Sequence, residues 1–290
     1  MNESTHQLRI GDATELLEEI APNAVQLVVT SPPYWSIKDY GCPGQIGVED
    51  SYEEYLDRLA KVWEKCKKAL SPGCRLAINI GEQYLRAKDF GEYSIKPIPA
   101  DLIERCIDVG FKYLGGIIWR KISTTKTTGG CSWMGSIYYP RDGYVTYEHE
   151  FVVLFKKCGK TKPSSKQLKE ESRLTKEQRS RWFRGIWDDI RPERQNGHMA
   201  MFPVEIPERL IRMFTFRGET VLDPFMGSGT TGVAAHRSGR NSIGMEINPS
   251  FTKEYTRKAR TEGFCPRIMC STEAVHGRRG NERAEEAHVG

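Results

Sequence analysis

The chain has 290 residues, 38% hydrophobic and 28% charged, with a net charge of +5, values expected of a globular protein with a sizeable core. No apolar run approaches the roughly 20 residues of a bilayer span, and the N-terminus MNESTHQLRIGDA lacks the basic and apolar regions of a signal peptide. The eight cysteines (42, 66, 74, 106, 131, 158, 265 and 270) contain no CxxC pair, which argues against zinc and for reduced thiols in the cytoplasm.

Short apolar runs alternate with amphipathic stretches, the pattern of an α/β fold with a mainly parallel sheet. The first predicted strand, 24–30, ends in Thr30-Ser31-Pro32-Pro33-Tyr34-Trp35. A helix follows over 52–69, with Tyr55, Leu59, Val62, Trp63 and Cys66 on one face. Further strands are expected at 74–80, 112–119 and 150–155, and a helix at 98–109. Residues 121–147 mix Lys121, Lys126, Trp133, Tyr138, Tyr139 and Arg141 without clean period and are expected to form a long loop. Residues 157–197 resist a strand assignment and read as an inserted helical or irregular lobe, rich in Lys and Arg from Lys156 to Arg184. Trp187-Asp188-Asp189 is expected to mark re-entry into the core. A helix at 206–214 precedes strands at 219–222 and 241–245. There is no internal repeat, and the polar tail from about Gly263 is expected to be flexible.

Between the last two strands lies ETVLDPFMGSGTTGVAAHRSGRNSIGMEIN. Gly227, Gly229 and Gly232 satisfy GxGxxG, and Glu246 follows at the end of the next strand, where a carboxylate can grip two ribose hydroxyls. The same pattern marks nicotinamide and flavin enzymes. Only 58 residues follow Gly232, too few to complete a dinucleotide-binding sheet, so the other strands must come from upstream. Asp223, just before the loop, would lie badly beside a pyrophosphate. It suits a ligand with an ammonium group, and S-adenosylmethionine carries a ribose, an adenine and an amino-acid tail without phosphate.

The tetrapeptide Ser31-Pro32-Pro33-Tyr34 could be a rigid surface turn. Its place at the end of a strand of an α/β sheet, where ligands bind, suggests more. An exocyclic amino group of a nucleobase is a poor nucleophile because its lone pair is delocalised into the ring. Accepting both of its hydrogens frees that lone pair. The Ser31 hydroxyl and the Pro32 carbonyl offer two acceptors, Pro32 and Pro33 fix φ and remove competing N–H groups, and Tyr34 offers a face on which an extruded base can stack.

On these motifs the sequence resembles the DNA amino-methyltransferases, in the circularly permuted group whose catalytic motif precedes its cofactor motif. TSPPYW at 30–35, DPFMGSGTT at 223–231 and GMEIN at 244–248 carry the resemblance. RIGDATELL at 9–17, YEHEFVVLFKK at 147–157 and HMAMFPVEIPERLI at 198–211 support it. It implies a Rossmann-like methyltransferase sheet of seven mostly parallel strands with one antiparallel hairpin strand. Residues 1–156 and 198–262 would form the catalytic domain and 157–197, with the 121–147 loop, a target-recognition lobe. Residues 263–290 would be a flexible tail. Asp223, Phe225, Gly227, Ser228 and Gly229 would hold the methionine part of S-adenosylmethionine, Glu246 the ribose, and Asp12 would lie near the adenine. Phe202 and Pro203 would begin a helix closing the pocket.

The resemblance also implies double-stranded DNA as substrate and a prokaryotic cytoplasm, and it allows a companion restriction endonuclease acting on the same site, with no direct contact implied. In this family Ser before Pro-Pro is typical of N4-cytosine enzymes, Asp or Asn of adenine N6 enzymes. A C5-cytosine mechanism is disfavoured because no Pro-Cys dipeptide is present to supply its thiolate. The alternatives are an adenine N6 enzyme, a non-catalytic DNA-binding protein with a vestigial cofactor fold, and a nicotinamide oxidoreductase. His149 reads as structural and His198 is unassigned, since the chemistry needs neither histidine nor metal. The basic run is either a solvated face or a set of phosphate contacts.

Overall fold

The elements, in chain order, are β1 (His6–Ile10), α1 (Ala13–Leu16), β2 (Val25–Thr30), α2 (Tyr52–Ala69), β3 (Leu70–Ile80), β4 (Gln83–Leu85), α3 (Ala87–Phe90), β5 (Ser94–Lys96), α4 (Ile98–Asp108), β6 (Phe111–Arg120) and β7 (His149–Lys157). There follow α5 (Lys166–Glu171), α6 (Lys176–Trp182), β8 (Ile186–Trp187), α7 (Glu205–Phe214), β9 (Thr220–Asp223), α8 (Thr230–Arg237), β10 (Asn241–Glu246), α9 (Phe251–Thr261) and β11 (Arg267–Cys270). The computed structural model describes residues 4–36, 39, 41–121, 141, 145, 148–191 and 203–270.

Nine strands form one sheet in the order β11-β1-β10-β9-β2-β3-β7-β6-β8. All pairings are parallel except those of β7 with β3 and β6. This is the expected mostly parallel sheet with one antiparallel strand, extended beyond seven by the short edge strands β8 and β11. β4 and β5 form a separate hairpin.

Four of the six residues of β2 are apolar, as suits a strand covered on both faces, and a register shift between Val25 and Leu27 puts Val25 on the same side as Val28. Val25 and Val28 pack with Tyr55, Leu59, Val62 and Trp63 of α2, while Leu27 and Val29 pack with Leu210 of α7 and Ala234 of α8. Helix α2 starts where a capping box forms, Ser51 accepting from the Glu54 N–H and Glu54 from the Ser51 N–H, which satisfies two of the first-turn donors.

The tail needs a correction. Arg267 to Cys270 pair in parallel with Gln7 to Ile10, so flexibility does not begin at Gly263. As an edge strand whose residues are mostly exposed, β11 shows no apolar alternation to betray it. Residues 271–290 lie outside the described residues.

Because β7 runs against its neighbours, the chain leaves it at the edge where the parallel strands begin. There Lys157 donates to Leu70 O at 2.6 Å and to Asn23 Oδ1 at 2.9 Å, and Ser172 Oγ accepts the Arg217 N–H at 2.9 Å. The basic stretch from Lys157 through α5 to Ser172 therefore lies along the edge opposite Ser31, and the chain has returned toward the Ser31 edge by β8, whose Ile186 pairs with Ile118. The chain re-enters the core through Trp187, 1% exposed, and Asp189, 2.9 Å from the buried Arg209 guanidinium. Burial would raise the Asp189 pKa, but hydrogen bonds from Arg209 and Arg181 outweigh it and bring it below the usual value. By contrast, the β6–β7 connection springs from the Ser31 edge. Its Lys126, Trp133, Tyr138 and Tyr139 lie outside the described residues, as does His198. His149, on β7, meets Phe151 edge-on at 5.0 Å, a packing contact.

Candidate active site

Strands β1, β10, β9 and β2 are successive neighbours and parallel, so their carboxyl ends open on one crevice. At those ends stand Asp12, Glu246, Asp223 and Ser31. The Gly11 N–H donates to Glu246 O at 3.0 Å, which sets Asp12 beside Glu246, and Asp12 Oδ1 caps α1 by accepting the Thr14 N–H at 2.7 Å.

The glycine turn needs left-handed backbone at Gly227 (φ +52) and Gly229 (φ +86). A Cβ on Gly229 would sit 1.9 Å from the Tyr255 ring, and one on Gly232 2.3 Å from the Tyr255 hydroxyl, whereas nothing lies within 4 Å of a Cβ on Gly227. Two glycines thus let α8 pack against α9, and the first faces open space. Glu246 holds the turn: its Oε2 accepts the Gly227 N–H and its Oε1 the Asn248 N–H, both at 2.8 Å. Burial raises its pKa above the usual carboxylate range against these bonds.

Asp223 is 2% exposed. Its Oδ1 accepts from the Thr30 hydroxyl at 2.6 Å and the Phe225 N–H at 3.0 Å, and its Oδ2 from the Thr231 hydroxyl at 2.6 Å. Burial pushes its pKa up to about 6 in spite of those bonds. Oδ2, with a single partner, retains acceptor capacity. The Phe225 ring meets Trp63 of α2 edge-on at 6.1 Å, and Ser228 Oγ accepts from Lys258 Nζ at 2.7 Å. The turn therefore presents its backbone, with these two side chains committed elsewhere. Pro203 is buried just ahead of α7; Phe202 lies outside the described residues.

The tetrapeptide is tethered on both sides. The Tyr55 hydroxyl donates to Pro33 O at 2.9 Å, the Gly81 N–H donates to Tyr34 Oη at 2.7 Å, and Trp35 Nε1 donates to Asp50 O at 2.8 Å. Within the described residues the Ser31 hydroxyl and the Pro32 carbonyl have no hydrogen-bond partner. Burial first, then the nearby Glu150 carboxylate, holds the Tyr34 phenol neutral by raising its pKa well above the ordinary value.

The site thus unites Asp12, Ser31 to Tyr34, the 223–229 turn and Glu246. Sequence reasoning missed Thr30, Thr231, Gly81 and Glu150. Thr30 and Thr231 belong to the quoted motifs, but nothing in their spacing says that both bond one carboxylate. Glu150 stands in YEHEFVVLFKK without any signal of what it faces.

Residues 25–257 match the DNA methylase family. The chain is 35% identical over 275 residues to the type II methyltransferase M.MjaI of Methanocaldococcus jannaschii, covering 85% of this chain and 88% of that one. It is 34% identical over 273 residues to M.MthZI of Methanothermobacter thermautotrophicus, covering 86% and 74%. The crystal structure of the Thermus thermophilus protein TTHA0409, complexed with S-adenosyl-L-methionine, is similar with a TM-score of 0.77 and 37% identity, over 92% of this chain and 99% of that one. The residues here fit such a cofactor. Three carboxylates surround an open glycine, and among the described residues Lys258 is the one basic side chain hydrogen-bonded to the turn, a set of acceptors for hydroxyls and an ammonium group rather than a pyrophosphate. The chain belongs to the DNA methylase family and is an S-adenosylmethionine-dependent DNA methyltransferase.

Proposed function

We propose that the methyl group goes to the exocyclic N4 of a cytosine extruded from a short duplex sequence. The observation that supports amino-group chemistry is the pair of acceptors without partners among the described residues, Ser31 Oγ and Pro32 O, on a backbone locked by two prolines; the serine itself supports cytosine. Pro33 O is taken by Tyr55, whereas Pro32 O stays open to the amino group. The two acceptors take its two hydrogens and turn the nitrogen lone pair toward the glycine crevice. Tyr34, tethered through its hydroxyl, supplies the stacking face. The cofactor, when bound, supplies an electrophilic methyl group on a sulfonium; Asp223 Oδ2 takes its ammonium group and Glu246 its ribose hydroxyls. Transfer would form the N4–methyl bond as the methyl–sulfur bond breaks, leaving the neutral thioether, and the now acidic N4 would then release its proton to water. Adenine N6 would use the same acceptors, and Ser rather than Asp or Asn at position 31 favours cytosine. The type II names of its relatives support a companion endonuclease cutting the same site.

Single-turnover methylation tests the assignment. Ser31→Ala should fold and bind cofactor and DNA, yet transfer methyl roughly a hundred- to a thousandfold more slowly, the effect of one transition-state hydrogen bond. Tyr34→Ala should also weaken base capture, by about 1–3 kcal/mol. A mismatch at the target cytosine, which makes extrusion easier, should partly rescue Tyr34→Ala but not Ser31→Ala. Equal rescue of both would contradict the division of roles.

A further inference from the structure

The phenol of Tyr34 accepts the Gly81 N–H at 2.7 Å, which leaves its own hydrogen to be donated. Glu150, at the start of β7, faces the same spot. A Cβ on Gly81 would lie 3.0 Å from Glu150 Cγ and 3.1 Å from Tyr34 Oη, so both groups crowd one glycine. The carboxylate is held from two further sides. Asn79 Nδ2 donates to its Oε2 at 2.6 Å, and Lys121 Nζ forms an ion pair with its Oε1. Its side chain is 13% exposed. A carboxylate this far from water is costly without partners, and a role in the site explains why it is kept.

We propose that Glu150 is a positioning residue that takes the Tyr34 hydroxyl hydrogen and so fixes the plane of the ring on which the target base stacks. The proposal rests on the stacking role given to Tyr34 above. An ionised carboxylate can only accept, so it forces the phenol to donate toward β7 and to receive the Gly81 N–H with its lone pair. Both torsions of the Tyr34 side chain are then set before DNA arrives. Lys121 balances the charge, and Asn79 fixes the carboxylate's rotation. The three contributing segments, the end of β2, the end of β3 and the start of β7, are adjacent because β3 pairs with β7, Ile80 opposite Phe151.

A double-mutant cycle on the full-length protein tests this. Tyr34→Phe keeps the ring and removes the hydroxyl. Glu150→Gln keeps the size and makes the acceptor ambiguous. Each should slow single-turnover methyl transfer at saturating DNA by about tenfold, the lower end for a hydrogen bond to a charged group, and leave cofactor affinity unchanged. The double variant should be no slower than Tyr34→Phe alone. Glu150→Asp, which keeps the charge but withdraws the carboxylate by one methylene, should give the same deficit and serves if Glu150→Gln does not fold. The proposal is overturned if Glu150→Gln and Glu150→Asp transfer methyl at the native rate, or if they slow Tyr34→Phe by the same factor as the native protein. Failure of the stacking role itself would appear differently, as native DNA capture and turnover in Tyr34→Ala.

Discussion

The Thr30 hydroxyl donates to Asp223 Oδ1 at 2.6 Å across 193 residues of sequence. Thr30 is the last residue before the Ser31–Tyr34 tetrapeptide, and Asp223 opens the glycine turn. One buried hydrogen bond thus joins the two halves of the candidate site, and Thr231 anchors the same carboxylate from α8.

Thr30→Val keeps the shape and removes the donor, leaving part of a buried carboxylate unsatisfied. It should cost about 1–3 kcal/mol of stability and slow methyl transfer as well, whereas Thr30→Ser should retain most of both. Urea melts together with single-turnover rates check this. Loss of stability at native rate would mean that the bond does not align the two motifs.

Asp223 carries a pH dependence. Its folded pKa is raised from 3.8 to about 6, so it favours the protonated fold. That contribution to stability is full below the unfolded value and is lost as pH rises through about 6. Cofactor binding runs the other way, because an ammonium group needs the ionised form. Affinity for S-adenosylmethionine should therefore weaken about tenfold for each pH unit below about 6, and Asp223→Asn should bind weakly with no such dependence. Titration calorimetry between pH 5 and 8 gives both curves; parallel curves for the two proteins would place the ammonium elsewhere.

Glu246 accepts two backbone N–H groups through its two oxygens. In Glu246→Gln one of those N–H groups must face an amide NH2. Cofactor affinity should fall by roughly 1–3 kcal/mol through the loosened turn and the weaker grip on ribose, with DNA affinity little changed. Calorimetric affinities for cofactor and DNA separate the two effects.

The basic stretch from Lys157 to Ser172 lies at the edge where β2 begins, and the six residues of β2 separate that edge from Ser31 by about 20 Å at roughly 3.3 Å per residue. Charge reversal at Lys162, Lys166 and Lys169 should therefore leave the affinity for DNA and its salt dependence near native. A flattened salt slope would return these lysines to the DNA-contacting surface.

Much of the fold is legible in the chain because buried parallel strands are continuous apolar runs. The helix read at 52–69 is α2, residue for residue, since its apolar face repeats cleanly and Ser51 caps it. β1, with two buried apolar side chains among five residues, and the exposed β11 carry too little pattern to be read. The same limit applies within the site. Ser31, Asp223 and Glu246 announce themselves by motif and position at strand ends. Thr30 and Glu150 do not, because their importance comes from partners that only the sheet brings near.

Nucleoside mass spectrometry of duplex DNA treated with the purified protein and methyl-labelled S-adenosylmethionine tests the central claim most directly. The label should appear in N4-methylcytosine, and Ser31→Ala should slow its appearance roughly a hundred- to a thousandfold. Label in N6-methyladenine would contradict the assignment of the base, and label in 5-methylcytosine would contradict amino-group chemistry altogether.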